Sequence, residues 1–276
     1  MNIATIDRNP LNSPQMQGND AAIMRSVERE LAAMGANVKN FDEKEDIGGV
    51  YDVVLHMSRT PETLRRLSCY EAEGRLVINS VQAVMNCSRV KFTHILQEEG
   101  IKQPPYRIIE SAAQLQTAQY PAWIKRAEGW SCSKEDVAFV TTPQEAADAF
   151  KAIRAGGCPT AILCDHIAGD IIKFYGIGGD FFRYGYPDGE KTKFGLEKIN
   201  GTPQKYPFDA TLLQQTAFNA ARAVGLSVFG GDAIITEERS IYIIDINDFP
   251  SFSAVREEAA KAMAQMIIEK RKHNIQ

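Results

Sequence analysis

Two aspartates, Asp232 and Asp245, lie on apolar segments whose spacing predicts a β-hairpin. The segments are FGGDAIIT at 229–236 and IYIIDIND at 241–248. If residues 237–240 form the loop, the two aspartates are equally distant from its centre and face each other across the strands. Directly opposed residues have Cβ atoms about 4.5 to 5.5 Å apart, so two like charges there destabilise a hairpin unless something compensates them.

A divalent cation would compensate the two carboxylates. Asn247 lies on the same face as Asp245, because side chains alternate along a strand with a period of two. Two carboxylates and a carboxamide form a set of hard oxygen donors, which favours Mg²⁺ or Mn²⁺ over zinc. The alternative is that these side chains are simply solvated at a strand end. The pattern therefore predicts a metal site and leaves this alternative open.

A cation held by few protein ligands usually shares its coordination with phosphate oxygens, so a nucleotide site is expected nearby. The phosphate-loop pattern GxxxxGK followed by Ser or Thr is absent, as is the dinucleotide pattern GxGxxG. Two lysines are then the candidates for binding phosphate. Lys91 lies in the first turn of a predicted helix, where anions are favoured, and Lys125 lies on the apolar strand WIK. A solvated position is the alternative for each lysine.

The composition favours a small-molecule partner. The 276 residues include 31 Lys+Arg and 35 Asp+Glu, and the net charge of −4 gives no field suited to nucleic acid or an anionic membrane. The five cysteines show no CxxC spacing and are expected to be reduced thiols. No stretch approaches the roughly 18 to 20 apolar residues of a membrane span, and no export signal is expected. We therefore expect a cytoplasmic protein, with its oligomeric state left open.

Alternating strands and helices precede the hairpin. Helix 19–34 places Ile23, Val27 and Leu31 on one face, and the short apolar strands around it predict a βαβ unit. A second unit of helices and antiparallel strands follows, and the third unit ends with the hairpin and a final helix. The other predicted strands are 2–7, 36–41, 51–57, 75–79, 106–110, 121–126, 136–140 and 160–164, with a further hairpin at 171–185; the other predicted helices are 88–100, 143–155, 209–224 and 253–270.

Four stretches, in chain order, resemble the ATP-grasp superfamily. VINSVQAVMNCSRVKFTHILQEEGIKQPP (77–105) is similar to the linker and first phosphate-binding lysine of that superfamily, and WIKR (123–126) carries a lysine placed like the second. AILCDHIAGDIIKFYGIG (161–178) is similar to the hinge that clamps adenine. The closing hairpin is similar to the magnesium-binding hairpin of these folds.

The resemblance implies an α/β fold with a small βαβ N-terminal domain and two α+β lobes that clasp ATP. The N-terminal domain would span 1–87, the central lobe 88–168 and the C-terminal lobe 169–276. Residues 188–207 are polar and rich in Gly and Lys, which predicts a mobile loop and a candidate substrate lid. One departure follows the second lysine, where many relatives have a glycine-rich loop and this chain offers only Gly129.

The resemblance also implies a role for each candidate residue. Lys173 and Arg183 match positions that often contact the transferred phosphoryl group or the acceptor, and an exposed edge-strand charge is the alternative for both. ATP and Mg²⁺ (or Mn²⁺) are the expected cofactors. The resemblance further implies that Lys91 and Lys125 bind the ATP phosphates and that the hinge residues Asp165, His166 and Ile167 contact adenine. Asp170 would bind the ribose or a substrate group, and the metal would be held by Asp232, Asp245 and Asn247.

Two activities fit this resemblance, and the acceptor distinguishes them. The general plan and small N-terminal lobe are similar to the branch of ribosomal-protein glutamate ligase and glutathione synthetase. This similarity implies a carboxylate–amine ligase that acts through an acylphosphate on a small molecule or peptide. The run IDINDFPSF, with Ser251 where such ligases often have glycine, also resembles inositol-phosphate kinases, which implies transfer to a hydroxyl group. A non-catalytic nucleotide-binding protein is the third alternative.

Overall fold

The computed structural model describes residues 1–13, 16–130, 133–187 and 199–273. The strands of these residues form three four-stranded sheets, and seven α-helices connect and cover them. The first sheet is parallel and the other two are antiparallel. This arrangement confirms the predicted α/β class with α+β lobes.

The first sheet and its helices are built from β1 (Asn2–Ile6), α1 (Gln17–Ala33), β2 (Asn37–Phe41), β3 (Val53–His56), α2 (Pro61–Ala72) and β4 (Leu76–Ile78). Its strand order is β2-β1-β3-β4. The predicted stripe of Ile23, Val27 and Leu31 on α1 is fully buried in the core. Because β2 and β3 lie on opposite sides of β1, the carboxyl ends of β1 and β3 flank the point where the strand order reverses. In parallel sheets, ligands usually bind next to this point.

The second sheet has the order β5-β8-β6-β7. Its elements are α3 (Val81–Asn86), α4 (Arg89–Glu98), β5 (Tyr106–Ile109), β6 (Ala122–Arg126), β7 (Val137–Val140), α5 (Pro143–Ala155) and β8 (Ala161–Asp165). Helix α5 begins where predicted, because Thr142 accepts a hydrogen bond from the backbone N of Glu145 at 3.2 Å and Pro143 occupies the first turn. Helix α3 is not predicted from the sequence, although Ser80 caps it in the same way.

The third sheet has the order β10-β9-β11-β12 and contains both predicted hairpins. Its elements are β9 (Asp170–Ile177), β10 (Phe181–Gly185), α6 (Ala210–Val224), β11 (Val228–Ile235), β12 (Ile241–Asn247) and α7 (Arg256–His273). Helix α6 ends at Gly225 with a φ of 93°, a left-handed conformation that glycine adopts without strain. Helix α7 packs against α1, which joins the third unit to the first.

The pairing of Asp232 with Asp245 is confirmed, but the geometry that produces it differs from the prediction. The loop spans 236–240, one residue more than the predicted 237–240. A β-bulge next to the aspartates, with Ile244 as the extra residue, then shifts the register by one position. The longer loop and the bulge offset each other, so the two aspartates are again opposite.

The other predicted boundaries lie within about three residues of the observed ones. The strands of the three sheets lie at 2–78, 106–165 and 170–247, and the three predicted domains remain a proposal. Of the candidate lid, 188–198 lie outside the described residues. None of the helices in the described ranges has both the length and the apolar character needed to cross a membrane.

Candidate active site

A cavity of about 320 Å³ is lined by residues from all three units. Eight charged side chains among the described residues line it, and the two signs are equal in number. A bound divalent cation would therefore make the cavity net positive, which suits a polyanionic ligand. The cationic side chains are Arg59, Arg89, Lys125 and Lys173, and the anionic ones are Asp165, Asp232, Asp245 and Asp248.

The end of the closing hairpin brings the three predicted metal ligands together. Asp232 and Asp245 lie opposite each other, and Asn247 Nδ2 is 3.5 Å from Asp245 Oδ2. The other oxygen of Asp245, Oδ1, accepts a hydrogen bond from the backbone N of Ile246 at 3.0 Å, which orients the carboxylate. All three predicted ligands are half-buried and line the cavity.

This donor set fits Mg²⁺ or Mn²⁺. It offers oxygen atoms only, the ligand type that hard divalent cations prefer. Across the described ranges, no three His, Cys, Asp or Glu side chains converge to hold a metal ion. A cation at the hairpin would thus be held by two carboxylates and one carboxamide, and would need oxygens from a bound ligand to complete its coordination.

Lys173 connects the hairpin to the neighbouring strand β9. It pairs with Asp232 in the sheet, and its Nζ lies 3.0 Å from Asp232 Oδ1. Asp232 therefore has a like charge on one side and an opposite charge on the other. The lysine offsets part of the repulsion between Asp232 and Asp245 and still lines the cavity.

The sequence predicts Lys91 as the first phosphate contact, but the structure brings Arg89 to the cavity instead. Lys91 is exposed and does not line the cavity, whereas Arg89 does. Residues two positions apart project about 200° apart around a helix, so only one of the two can face the site from the first turn of α4. The second predicted lysine, Lys125 on β6, is half-buried and lines the cavity.

The hinge between β8 and β9 lines the apolar part of the cavity. Asp165 and Ile167 belong to the lining, but His166 does not. His166 Nδ1 accepts a hydrogen bond from Nε1 of Trp123 at 3.1 Å, so His166 orients an indole that lines the cavity. Burial lowers the pKa of His166, which favours the neutral form that accepts this bond. The apolar lining also includes Ile162, Ile171, Ile234 and Ile244.

Two predicted site residues lie away from the cavity and have other partners. Asp170 is buried, and its carboxylate accepts hydrogen bonds from the backbone N of Gln204 at 2.7 Å and of Tyr206 at 2.9 Å. Arg183 is exposed on the edge strand β10 and pairs with Glu258 of α7, at 3.0 Å from Nε to Oε2. Asp170 therefore anchors the C-terminal end of the candidate lid, 188–207. Arg183 occupies an exposed position on an edge strand, which was the alternative given for it. Neither position supports the predicted contact with the ribose or the phosphoryl group.

The first unit contributes Arg59 to the lining of the cavity. Arg59, which follows β3, donates from Nε to Asp248 Oδ1 at 3.1 Å, and its Nη2 binds the same oxygen. Burial alone would raise the pKa of Asp248, but the charges of Arg59 and Arg8 outweigh it, so this pKa lies below its ordinary value. Asp248 therefore belongs to a buried ion pair with Arg59. Trp123, Trp130 and Asn200 are further lining residues that the sequence does not predict.

The fold matches solved structures of one class, although no protein-family model and no curated protein sequence matches the chain. D-alanyl-alanine synthetase A from Vibrio cholerae is 13% identical, with alignment over 100% of this chain and 98% of that chain and a TM-score of 0.75. The RimK domain ATP-grasp protein from Sphaerobacter thermophilus is 14% identical. The alignment covers 97% of this chain and 100% of that chain, and the TM-score is 0.69. The VanG D-Ala:D-Ser ligase from Enterococcus faecalis is 14% identical. The alignment covers 98% of this chain and 99% of that chain, and the TM-score is 0.73.

The chain has the ATP-grasp fold. The matches extend over nearly the whole length of both partners, which confirms the fold that the resemblance implies. At 13 to 14% identity the likeness establishes the fold, so the activity must be argued from the site.

Proposed function

We propose that the protein is a carboxylate–amine ligase that uses ATP and Mg²⁺ (or Mn²⁺) to join a small molecule or peptide to an amine through an acylphosphate. The observation that carries this proposal is that three kinds of group line one cavity. Apolar side chains lie at the hinge, cationic side chains come from α4, β6 and β9, and the paired aspartates lie on the hairpin. A nucleoside triphosphate presents a base, phosphates and a phosphate-bound cation, which these three kinds of group would bind.

Each part of the cavity has a role in this proposal. The apolar side chains at the hinge, with Trp123 and Ile167, would hold the base, and Arg89 and Lys125 would bind the phosphates. Lys173 lies at the hairpin and would contact the phosphoryl group that is transferred. Mg²⁺ held by the two aspartates and Asn247 would neutralise charge on the phosphate oxygens. The charged side chains would thus lower the barrier by positioning and by electrostatic stabilisation.

The reaction needs no nucleophile from the protein. The acceptor carboxylate attacks the γ-phosphorus, the bond to the β-phosphate oxygen breaks, and ADP leaves. The amine then attacks the acyl carbon, inorganic phosphate leaves with the bonding electron pair, and the amine loses its proton. Cys87 and Cys164 line the cavity, but burial raises the pKa of both thiols, so they are poor nucleophiles at neutral pH.

The charges of the cavity support a ligase over an inositol-phosphate kinase. The acceptor of such a kinase carries several phosphates and would need an excess of basic side chains. Here the cationic and anionic side chains that line the described cavity are equal in number. Two of the structural neighbours, a D-alanyl-alanine synthetase and a D-Ala:D-Ser ligase, also favour amide formation. A small-molecule or peptide substrate and a cytoplasmic location remain predictions.

Trapping with hydroxylamine tests the proposal. The protein is incubated with ATP, Mg²⁺ and a panel of D- and L-amino acids, dipeptides and inositol phosphates, and ADP release is measured with and without hydroxylamine. We expect ADP release with a carboxylate substrate and formation of its acyl hydroxamate. A phosphate ester of an inositol phosphate would establish the kinase alternative instead. Binding of ATP with no turnover across the panel would favour the non-catalytic alternative.

A further inference from the structure

The hairpin that carries the predicted metal ligands has no room for a cationic side chain beside them. Gly230 and Gly231 directly precede Asp232. A Cβ on Gly230 would lie 2.7 Å from Cγ of Pro250, and a Cβ on Gly231 would overlap the carbonyl oxygen of Asp245 and the ring of Phe174. Positive charge beside these ligands therefore comes from other parts of the chain, from Lys173 on β9 and from a residue of the first unit.

Arg59 brings that charge from the first unit. It follows β3 at the point where the strand order of the parallel sheet reverses. Its backbone N donates to Oε1 of the buried Glu43 at 2.7 Å, which fixes the start of the side chain. Its guanidinium pairs with Asp248, the residue after the predicted metal ligand Asn247. The end of the first sheet is thereby joined to the end of the hairpin β11–β12, called the metal hairpin below.

The guanidinium of Arg59 is held on two sides. Nε and Nη2 donate to Asp248, and the ring of Trp130 lies 5.4 Å from Cζ. The side chain is only 6% exposed, and yet Arg59 lines the cavity. The other terminal nitrogen, Nη1, donates to no group among the described residues. An arginine fixed in this way presents two N–H groups in one plane, which is the geometry that an oxyanion accepts.

A second arginine lies behind the first. Arg8, which follows β1, donates from Nη2 to the carbonyl oxygen of Phe249 at 2.7 Å. Its Nε lies 3.7 Å from Asp20 Oδ2, and both side chains are 7% exposed. Burial and the charge of Arg59 lower the pKa of Arg8, although arginine stays protonated at neutral pH. Asp20 is thus the partner of Arg8, while Asp248 interacts with both arginines.

We propose that Arg59 is the residue that binds the carboxylate of the acceptor, through Nη1, at the end of the cavity formed by Trp130 and the metal hairpin. This inference rests on the proposed ligase function and extends it. It assigns recognition of the acceptor to the N-terminal unit, whereas the nucleotide is bound by the other two. The acceptor is then a molecule with a free carboxylate that can reach past Trp130.

A paired variant separates this role from a structural one. The double change Arg59→Gln and Asp248→Asn removes both charges together, so neither is left buried without its partner. Arg59→Lys keeps the charge but loses the planar pair of N–H groups, and should restore binding only in part. The matched control is Arg183→Gln, which removes an arginine whose ion pair lies outside the cavity. Thermal unfolding and the affinity for Mg·ADP show whether each variant keeps its fold and its nucleotide site.

The test measures oxyanion binding by calorimetry in two complexes. Acetate is titrated into protein saturated with Mg·AMP-PNP, where the γ-phosphate position is filled, and inorganic phosphate into protein saturated with Mg·ADP. We expect acetate binding that weakens at least about tenfold in the double variant, with nucleotide affinity unchanged. Equal acetate affinity in wild type and double variant would overturn the proposal.

Two other results are equally decisive. Arg59-dependent binding of phosphate without any binding of acetate would overturn the proposal, because it would assign Arg59 to the transferred phosphoryl group. The absence of all oxyanion binding in the wild-type complexes would overturn it too. If the wild-type protein bound neither nucleotide, the proposed function itself would fail, which is a separate and recognisable result.

Discussion

Two hairpins of the third sheet carry charged side chains, and they differ in what surrounds those charges. The hairpin β11–β12 directs Asp232 and Asp245 into the cavity, half-buried and close to Lys173 and Asn247. The hairpin β9–β10 ends at the sheet edge, where Arg183 is exposed. The comparison shows that residue type alone does not mark a site. Here the fold encloses the charges of one hairpin in the cavity and leaves Arg183 of the other exposed at the sheet edge.

Strand β9 shows the same contrast within one element. On its inner side it pairs with β11, so Lys173 lies opposite Asp232 and lines the cavity. On its outer side it pairs with the edge strand β10, where Arg183 lies opposite Tyr175. Two basic residues with similar sequence contexts therefore have different environments, because one is on a central strand and the other on an edge strand.

The largest expected effect comes from removing one carboxylate of the enclosed hairpin. Asp245→Asn lowers the negative charge of the pair, so we expect Mg²⁺-dependent ADP release to fall at least about a hundredfold because metal-dependent charge stabilisation is lost. Steady-state kinetics across a range of Mg²⁺ concentrations measures this loss. The matched control is Asp180→Asn in the exposed turn of the other hairpin, which should keep wild-type activity. Unchanged turnover in Asp245→Asn would remove the metal assignment.

The second prediction concerns how closely each hairpin is packed, and it compares one glycine from each. In Gly231→Ala the new methyl group overlaps the carbonyl oxygen of Asp245 and the ring of Phe174, and we expect a loss of roughly 2 kcal/mol in the free energy of unfolding. Gly179→Ala, in the β9–β10 turn, places its methyl group where nothing lies within 4 Å and should cost far less. Urea denaturation of the two variants measures the difference. Similar losses in both would show that the β11–β12 hairpin is no more closely packed than the other.

The sequence predicts the elements well because their patterns are local. The apolar stripe of α1 and the cap of α5 each depend on residues within a few positions. The pairing of Asp232 with Asp245 is predicted correctly although the loop and the bulge are not, because two single-residue errors offset each other. A prediction of register from loop symmetry therefore holds for the pair and not for every residue of the hairpin.

The site is predicted less completely because part of it depends on distant contacts. Arg59 and Asp248 are 189 positions apart, and no local pattern indicates that the ends of β3 and β12 meet. Arg89 lines the cavity and is not predicted, for a different reason. A lysine in the first turn of a helix is an attractive phosphate ligand, but the direction in which each side chain of that turn projects depends on how α4 docks.

The third prediction uses this difference between Arg89 and Lys91. Arg89→Ala removes a cation from the lining of the cavity and should weaken ATP binding about tenfold, equal to about 1.4 kcal/mol. Lys91→Ala, two positions along the same helix and exposed, should leave the affinity within about twofold of wild type. Calorimetric titration with Mg·AMP-PNP measures both values. A larger loss in Lys91→Ala than in Arg89→Ala would restore Lys91 as the phosphate ligand.

The smallest expected effect belongs to the exposed hairpin. Arg183→Gln breaks an ion pair with Glu258 in which the two side chains are 48% and 58% exposed. Exposed pairs contribute only about 0 to 1 kcal/mol, so we expect a change of less than about 0.5 kcal/mol in unfolding free energy and no measurable change in ADP release. Lys173→Gln, on the neighbouring strand and inside the cavity, is the matched comparison and should reduce turnover. If Arg183→Gln instead lost activity tenfold while its stability stayed constant, the edge of the sheet would take part in the reaction, and enclosure would no longer distinguish the two hairpins.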